Sequence, residues 1–496
     1  MEGILLIWII FTGLIILTLW LIKQLDSRPA SANNDFTLET AVATTTGNVA
    51  LVPVATAEQS KQKRGRRIPR PHTPDDCVMC RHEAVDAGKD AGKDAEDISE
   101  AERIRRVIPY PLLKGNRGRP KTSNTEGYAC LDPACDYRRI TDSKIHALVA
   151  DGSQKSIQGN VQQLVCQSCG GKFLVTRNTP MYRSKLSVDR TGEVVRALGE
   201  GLSLSACARV FKHSRTTIHR IANRSGEHFE SLHDILLHGI HAIHVQLDEL
   251  RTKLKGSAEA TWVWVSLEVV SKLMLAIHVG QRTKDCAQTL VHKTVKTLAT
   301  DCVPAYASDG LGHYHAALTS HYGAWDDQHQ WQVDPRLNYA QVIKRYARRK
   351  LKYITRRILC GSLAAFTHTL MSAGLSGLIT TFAVERVNLG LRTGVSALCR
   401  RSASIVCSEC ALTRRIEIRR AIYNFIQPHR SLRVELPMPV LCPSNHLYQR
   451  YIKRTPAMAA GLTKRILVME DLLLRLALPR LSPVPISPPR LSSPVQ

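Results

Sequence analysis

Three carboxylates and two companions stand out for the chemistry they could share. Asp248 follows the apolar run at residues 243–247 (IHVQL), and Asp309 follows a second run at 303–307 (VPAYA). Glu385 lies in a helical pattern, TTFAVERVNLGLRTGVSAL, that begins at Thr380. Asn388 and Arg392 come three and seven residues later, so all three share one helix face. Hard carboxylate oxygens are ligands for Mg²⁺ or Mn²⁺. Two such ions about 4 Å apart activate a water or a 3′-hydroxyl and stabilise the leaving oxygen in phosphodiester displacement. Arg392 would then steady a phosphate. Taken singly, each acid reads equally as a solvated surface group or a loop cap. The case rests on their placement together.

A softer ligand set lies upstream. Cys130 and Cys135 form a C-x4-C pair, and Cys166 and Cys169 a C-x2-C pair. Two thiolate pairs in a polar, turn-rich segment suit tetrahedral structural Zn²⁺, and Gly170 and Gly171 permit the tight turn of a knuckle. The alternative is four unrelated buried thiols. Cys77 and Cys80 form a half-site without an obvious second half. Cys407 and Cys410 sit in a helical pattern and read as structural. His238, His241 and His244 precede the first strand, and His313 and His315 follow Asp309. They read as a solvated approach rather than a metal cluster, because helical periodicity breaks as the strand begins.

Between the two ligand sets, residues 191–225 read as three short helices. Ser203 caps a helix that carries Leu204, Cys207, Ala208 and Phe211 on one face. Lys212-His213-Ser214 makes a turn. A further helix at 215–223 turns Ile218 and Ile221 inward and leaves Arg215, Thr216, Thr217, His219 and Arg220 outside. That is the pattern of a helix-turn-helix whose second helix meets base edges in the major groove of duplex DNA. The alternative is an ordinary helical hairpin. Upstream, Arg117-Gly118-Arg119-Pro120 is either a minor-groove arm or a plain basic loop.

The elements that must position the carboxylates follow an α/β pattern. Strand patterns cover 243–247, 262–269 (WVWVSLEV) and 273–279 (LMLAIHV), a helix pattern covers 285–299, and a fourth strand covers 303–307. This opens a mixed sheet flanked by helices. The chain divides into an apolar segment (1–23), a basic linker (24–108), a zinc-binding module (109–186), the helix-turn-helix (187–235), a catalytic domain (240–400), a C-terminal helical region (401–473) and a Pro- and Ser-rich tail (474–496).

Composition narrows the function. The chain of 496 residues carries 68 Lys and Arg against 42 Asp and Glu, a net charge of +26 that favours a polyanionic partner. Its 44% hydrophobic and 22% charged fractions exclude wholesale disorder. Fourteen cysteines are few for a disulfide scaffold of this length. The linker includes the basic run KQKRGRRIPR, either a solvated tether or a non-specific DNA contact. Residues 4–22 carry no charge and match the length of a membrane span, with Lys23 and Arg28 favouring a cytoplasmic body. A cleaved signal peptide or a mis-set start codon are the other readings of that segment.

At these residues the sequence resembles the DDE-type transposases of bacterial insertion sequences, closest to the insertion-sequence-one type. The matching stretches are QLDELRTKL around Asp248, WVWVSLEVVSKLMLAIHVGQRT, YASDGLGHY around Asp309, and TTFAVERVNLGLRTGVSALCRR around Glu385. YNFIQPHRSLR at 423–433 and RTPAMAAGLT at 454–463 also match. The resemblance covers roughly residues 115 to 470. It implies a ribonuclease-H-like catalytic core with Asp248, Asp309 and Glu385 as the metal-binding triad and Asn388 and Arg392 beside them. It implies binding of the element's terminal inverted repeats by the Cys module and helices, cleavage and strand transfer without a covalent intermediate, and a place in the bacterial cytoplasm, on the nucleoid. A homo-oligomer is expected because two element ends must be held together. A non-catalytic DNA-binding regulator from a decayed element is the competing expectation.

Overall fold

The computed structural model describes residues 107–110, 125–157, 159–400, 402–404, 406–441 and 448–477. The apolar segment at 4–22, the basic linker run, Cys77, Cys80, Arg117 and Arg119 lie outside the described residues, as does the tail beyond 477. No helix among the described residues is long and apolar enough to cross a membrane.

Short antiparallel strands follow the first cysteine pair. β1 (Leu148–Ser156), β2 (Gly159–Cys166) and β3 (Lys172–Leu174) form a three-stranded sheet in that order. Its small core joins Leu148, Leu164 and Phe173 to three of the thiols.

Helices α1 (Val188–Gly199), α2 (Leu204–Phe211) and α3 (Arg215–Leu236) come next. Ser203 and Ser214 cap α2 and α3 by accepting from the amides of Ala206 and Thr217. Lys212 takes the left-handed conformation that ends α2. The expected third short helix is instead 22 residues long. Its second half buries Phe229, Leu232 and His233, which the pattern at 215–223 gave no reason to include. Gly226 lets it approach α8, described below: a Cβ there would lie 2.3 Å from the Arg414 carbonyl oxygen.

The large sheet is built from β4 (His244–Thr252), β5 (Thr261–Glu268), β6 (Met274–Gly280), β7 (Ala305–Ser308), β10 (Tyr339–Ala347) and β11 (Lys350–Cys360). Helix α4 (Lys284–Thr297) joins β6 to β7. Helix α5 (His313–His321) and the hairpin β8 (Gly323–Trp325) and β9 (Trp331–Val333) lead to β10. The order across the sheet is β11-β10-β7-β4-β5-β6. β4, β7 and β10 run parallel, and the other pairings are antiparallel. The chain is thus α/β, with a mixed six-stranded sheet flanked by helices. α4 and α5 cover one face against Val245, Leu247, Trp264 and Tyr306. The other face receives α6 (Leu363–Ser372) and α7 (Phe382–Gly394). Helices on both faces explain why β4 and β5 read as nearly continuous buried runs.

One expected boundary moves. The first strand does not stop before Asp248 but continues to Thr252, because Asp248 through Thr252 keep pairing with β5. What stops is β7, at Ser308 opposite Leu247.

The region after residue 401 is not wholly helical. α8 (Glu409–Ala421) runs into a π turn at Ile422–Ile426, but β12 (Val434–Leu441) and β13 (Tyr448–Ile452) then pair before α9 (Pro456–Ala459) and α10 (Met469–Leu474). Cys407 and Cys410 are exposed near the start of α8 rather than packed. α8 fastens α3 to the sheet. Glu417 Oε2 lies 2.6 Å from His233 of α3, and Glu417 Oε1 accepts from Arg420 at 2.9 Å. Arg420 also donates to the carbonyls of Met274 and Leu275 on β6. Burial alone would raise the Glu417 carboxyl, yet Arg420 and His233 hold it at about 2.

Candidate functional site

Two groups of side chains, among the described residues, bring three or more ligand atoms within 4.8 Å of one another. The first is Cys130, Cys135, Cys166 and Cys169, the set expected from spacing. The Sγ atoms of Cys130 and Cys169 lie 3.6 Å apart, and those of Cys135 and Cys166 3.7 Å. A tetrahedron with arms of about 2.3 Å has edges of about 3.8 Å, so the thiols fit one four-coordinate ion. Gly170 takes φ +71° to turn the second knuckle. The Cys166 thiol is drawn down to about 5, first by the Cys130 contact and also by the amides of Cys169 and Ser168. Cys130 is pushed up by its contact with Cys166 and by burial.

The second group is Asp248, Glu249 and Asp309. Its geometry follows from the early end of β7. Asp248 faces α7 and Glu249 faces α5, on opposite faces of β4. With no strand beside them past Ser308, both carboxylates reach the same notch, into which Asp309 projects. Crevices at the carboxyl ends of parallel strands are the usual ligand sites of α/β sheets.

Helix α7 runs along β4 like a ladder. Gln246 donates to the Thr380 carbonyl at 2.6 Å and accepts from the Val384 amide at 3.0 Å. Asn388 Nδ2 donates to Asp248 Oδ2 at 2.8 Å, and Arg392 Nη2 to the Arg251 carbonyl at 3.3 Å. Four helical residues advance about 6 Å and two strand residues about 6.6 Å, so the first rungs stay in register. Of the three residues expected on one helix face, Asn388 and Arg392 are rungs of this ladder, with Arg392 spent on a backbone carbonyl, while Glu385 turns to Lys344 and Thr381.

Glu385 stands outside the tight acidic group. Lys344 of β10 pairs with its Oε1, and the Thr381 hydroxyl donates to the same oxygen at 2.6 Å. Its charge still reaches the notch and helps raise both aspartates. Burial, then Asp309 and Glu249, push the Asp248 carboxyl up to about 7. Asp309 is raised mainly by burial, against the Leu311 amide and Arg282. Arg282 stacks on Trp262 at 4.8 Å, donates to Glu249 through Nε at 2.8 Å, and lies 3.8 Å from Asp309. Tyr314 donates to Glu249 at 3.1 Å. Four carboxylates thus share two cations, Arg282 and Lys344, an excess of negative charge that suits a divalent ion.

Glu249, Arg282 and Lys344 were not singled out in the sequence. The only signal for Glu249 was its place beside Asp248 in QLDELRTKL. Among the described residues the histidines join no group of metal-ligand spacing: His238 and His241 are exposed, while His244, expected to be solvated, is buried and bonds the Ala305 carbonyl at 2.9 Å. In the first turns of α3, Arg215, Thr216, His219 and Arg220 are exposed. Thr217 is half-buried and bonded to Ser214 at 2.9 Å, so it serves the cap. Beside them opens a cleft of about 300 Å³ lined by Arg183, Lys185, Arg220 and Arg224.

Neither the models of protein families nor the curated proteins give a match to this chain.

Proposed function

We propose that the chain is a DDE-type transposase: it binds the terminal inverted repeats of an insertion sequence and catalyses metal-dependent DNA cleavage and strand transfer. The observation that carries this reading is the notch, where Asp248 in mid-β4 meets Asp309 just past the end of its parallel neighbour β7, beside the α7 ladder. The strand order supports a ribonuclease-H-like core. Asp248 and Asp309 would hold Mg²⁺ or Mn²⁺, with Glu385 as the third expected ligand and Glu249 beside them. Divalent ions bound there would activate the attacking oxygen and stabilise the leaving one. Asn388 orients the Asp248 carboxylate, Arg282 holds Glu249 and faces Asp309, and Lys344 holds Glu385. Attack by water breaks one P–O bond and frees a 3′-hydroxyl. That hydroxyl then attacks a target phosphodiester, again exchanging one P–O bond for another. Cys130, Cys135, Cys166 and Cys169 would hold a structural Zn²⁺ that braces the strands before the helix-turn-helix. Arg215, Thr216, His219 and Arg220 would meet duplex DNA at the element ends. The reading places the protein as a homo-oligomer on the bacterial nucleoid.

A second reading, a DNA-binding regulator without catalysis, is favoured by the engagement of Glu385: Lys344 and Thr381 both bind its Oε1, and the residue stands outside the tight acidic group. Asp309→Asn separates the two. The transposase reading expects loss of strand cleavage with DNA binding kept; a wild type that binds but never cleaves supports the regulator.

A further inference from the structure

Past the notch, β10 and β11 leave the sheet as a two-stranded ribbon. β10 pairs with β7 only through Gln341, and beyond that residue it pairs with β11 alone. The free part runs about six residues along each strand, roughly 20 Å. Residues 345–357 are all exposed. Seven of the thirteen are Lys or Arg and none is acidic. Tyr346 and Tyr353 are 63% and 58% exposed. The ribbon's root borders the site on two sides. Lys344 holds Glu385, while Gln341 donates to the Leu311 carbonyl and Ile343 packs by Gly310 just after Asp309.

The charges exceed what the fold requires. Edge strands carry charges to block unwanted pairing, a need that both strands of the free ribbon share past Gln341 but that its turn does not. Here Arg348 and Arg349 form the turn. Both turn residues take left-handed φ, +48° and +66°. Asn-Gly is the pair such a turn prefers, so two arginines accept backbone strain that an uncharged pair would avoid.

We propose that this ribbon is a duplex-DNA arm that grips the sugar-phosphate backbone flanking the bond cut at the notch. It rests on the transposase reading above. A two-stranded ribbon fits a major groove, and its Lys and Arg reach phosphates without regard to sequence. The exposed rings of Tyr346 and Tyr353 offer apolar surface to the sugars.

The test uses the full chain and a random-sequence duplex of about 40 base pairs, with anisotropy measured from roughly 50 to 200 mM salt. Arg348→Asn with Arg349→Gly removes two charges while installing the preferred turn, so its melting temperature holds or rises. The slope of log K against log salt should shrink by about two, and by about three and a half when Lys350→Gln and Lys352→Gln are added. An unchanged slope, no duplex binding by the wild type, or ribbon-dependent binding that prefers RNA overturns the proposal. Metal-dependent cleavage of duplex DNA spanning the borders of the gene's own locus is followed with the same protein preparations. Cleavage with an unchanged slope sinks the arm alone, whereas a reduced slope without cleavage by the wild type sinks the transposase reading and keeps the arm.

Discussion

The thiol cluster and the carboxylate notch are both groups of side chains that could hold a cation, and they are built in opposite ways. The thiols come from two tight turns, one before the three-stranded sheet and one between its β2 and β3. Their side chains face one another and close a tetrahedron. The carboxylates come from strands 61 residues apart in sequence, read as the gap between Asp248 and Asp309. Their notch exists only because β7 ends while β4 continues. The protonation shifts differ in the same sense. Cys166 is drawn down to about 5 by donors around it, and Asp248 is pushed up to about 7 by burial and like charge. A closed, donor-rich site suits a resident structural ion; an open, repulsive one suits an ion that takes part in chemistry.

The largest effect should break the first site and spare the second. Cys166→Ser should remove one zinc per chain by elemental analysis and unfold the small sheet, since structural zinc contributes on the order of 10 kcal/mol to such modules. Mn²⁺ binding at the notch should persist. If zinc content stays the same, the four thiols are ordinary core cysteines.

The converse variant is Asp248→Asn. Strand cleavage should fall on the order of 10³-fold or more, with zinc content unchanged. Next in size are the groups that hold the carboxylates. Asn388→Ala or Arg282→Gln should weaken Mn²⁺ binding, measured by electron paramagnetic resonance, by roughly 10- to 100-fold. Affinity equal to wild type in both would mean that neither contact positions a ligand.

A pH series sharpens the contrast in metal-free protein. The Asp248 carboxyl is raised to about 7 in the fold, against about 4 in an unfolded chain. Between those values the folded state keeps a proton that the unfolded state has lost, so stability falls as pH rises. Asp248→Asn should therefore gain on the wild type between pH 5 and pH 8 in urea titrations, and saturating Mn²⁺ should erase the gain. A constant difference at both pH values would contradict the raised carboxyl. The smallest effect lies outside both sites. Ser214→Ala removes the cap of α3 and should cost about 1 kcal/mol of stability, with metal content untouched.

The contrast also explains what could be read from the sequence. Cys130, Cys135, Cys166 and Cys169 were legible because a knuckle is local and its spacing is its geometry. Asp248 and Asp309 were legible as acids after apolar runs, and the helix face of Asn388 and Arg392 followed from periodicity. Glu249 was not, because strand alternation sends it to the other face from Asp248, and only the missing neighbour beyond Ser308 brings the two together. Lys344 was hidden for a different reason. The β10–β11 ribbon is charged on both faces and shows no alternation, so it reads as a basic loop. The length of α3 was missed because its second half packs on α8, nearly two hundred residues away in sequence, from Gly226 to Arg414.

The central claim is that the notch performs phosphodiester chemistry. The most direct measurement incubates full-length protein with Mg²⁺ or Mn²⁺ and duplex DNA spanning the borders of the gene's own locus, for wild type beside Asp248→Asn. The account predicts metal-dependent cuts at fixed border positions that vanish in the variant. Tight border binding with no cleavage by either protein would contradict it.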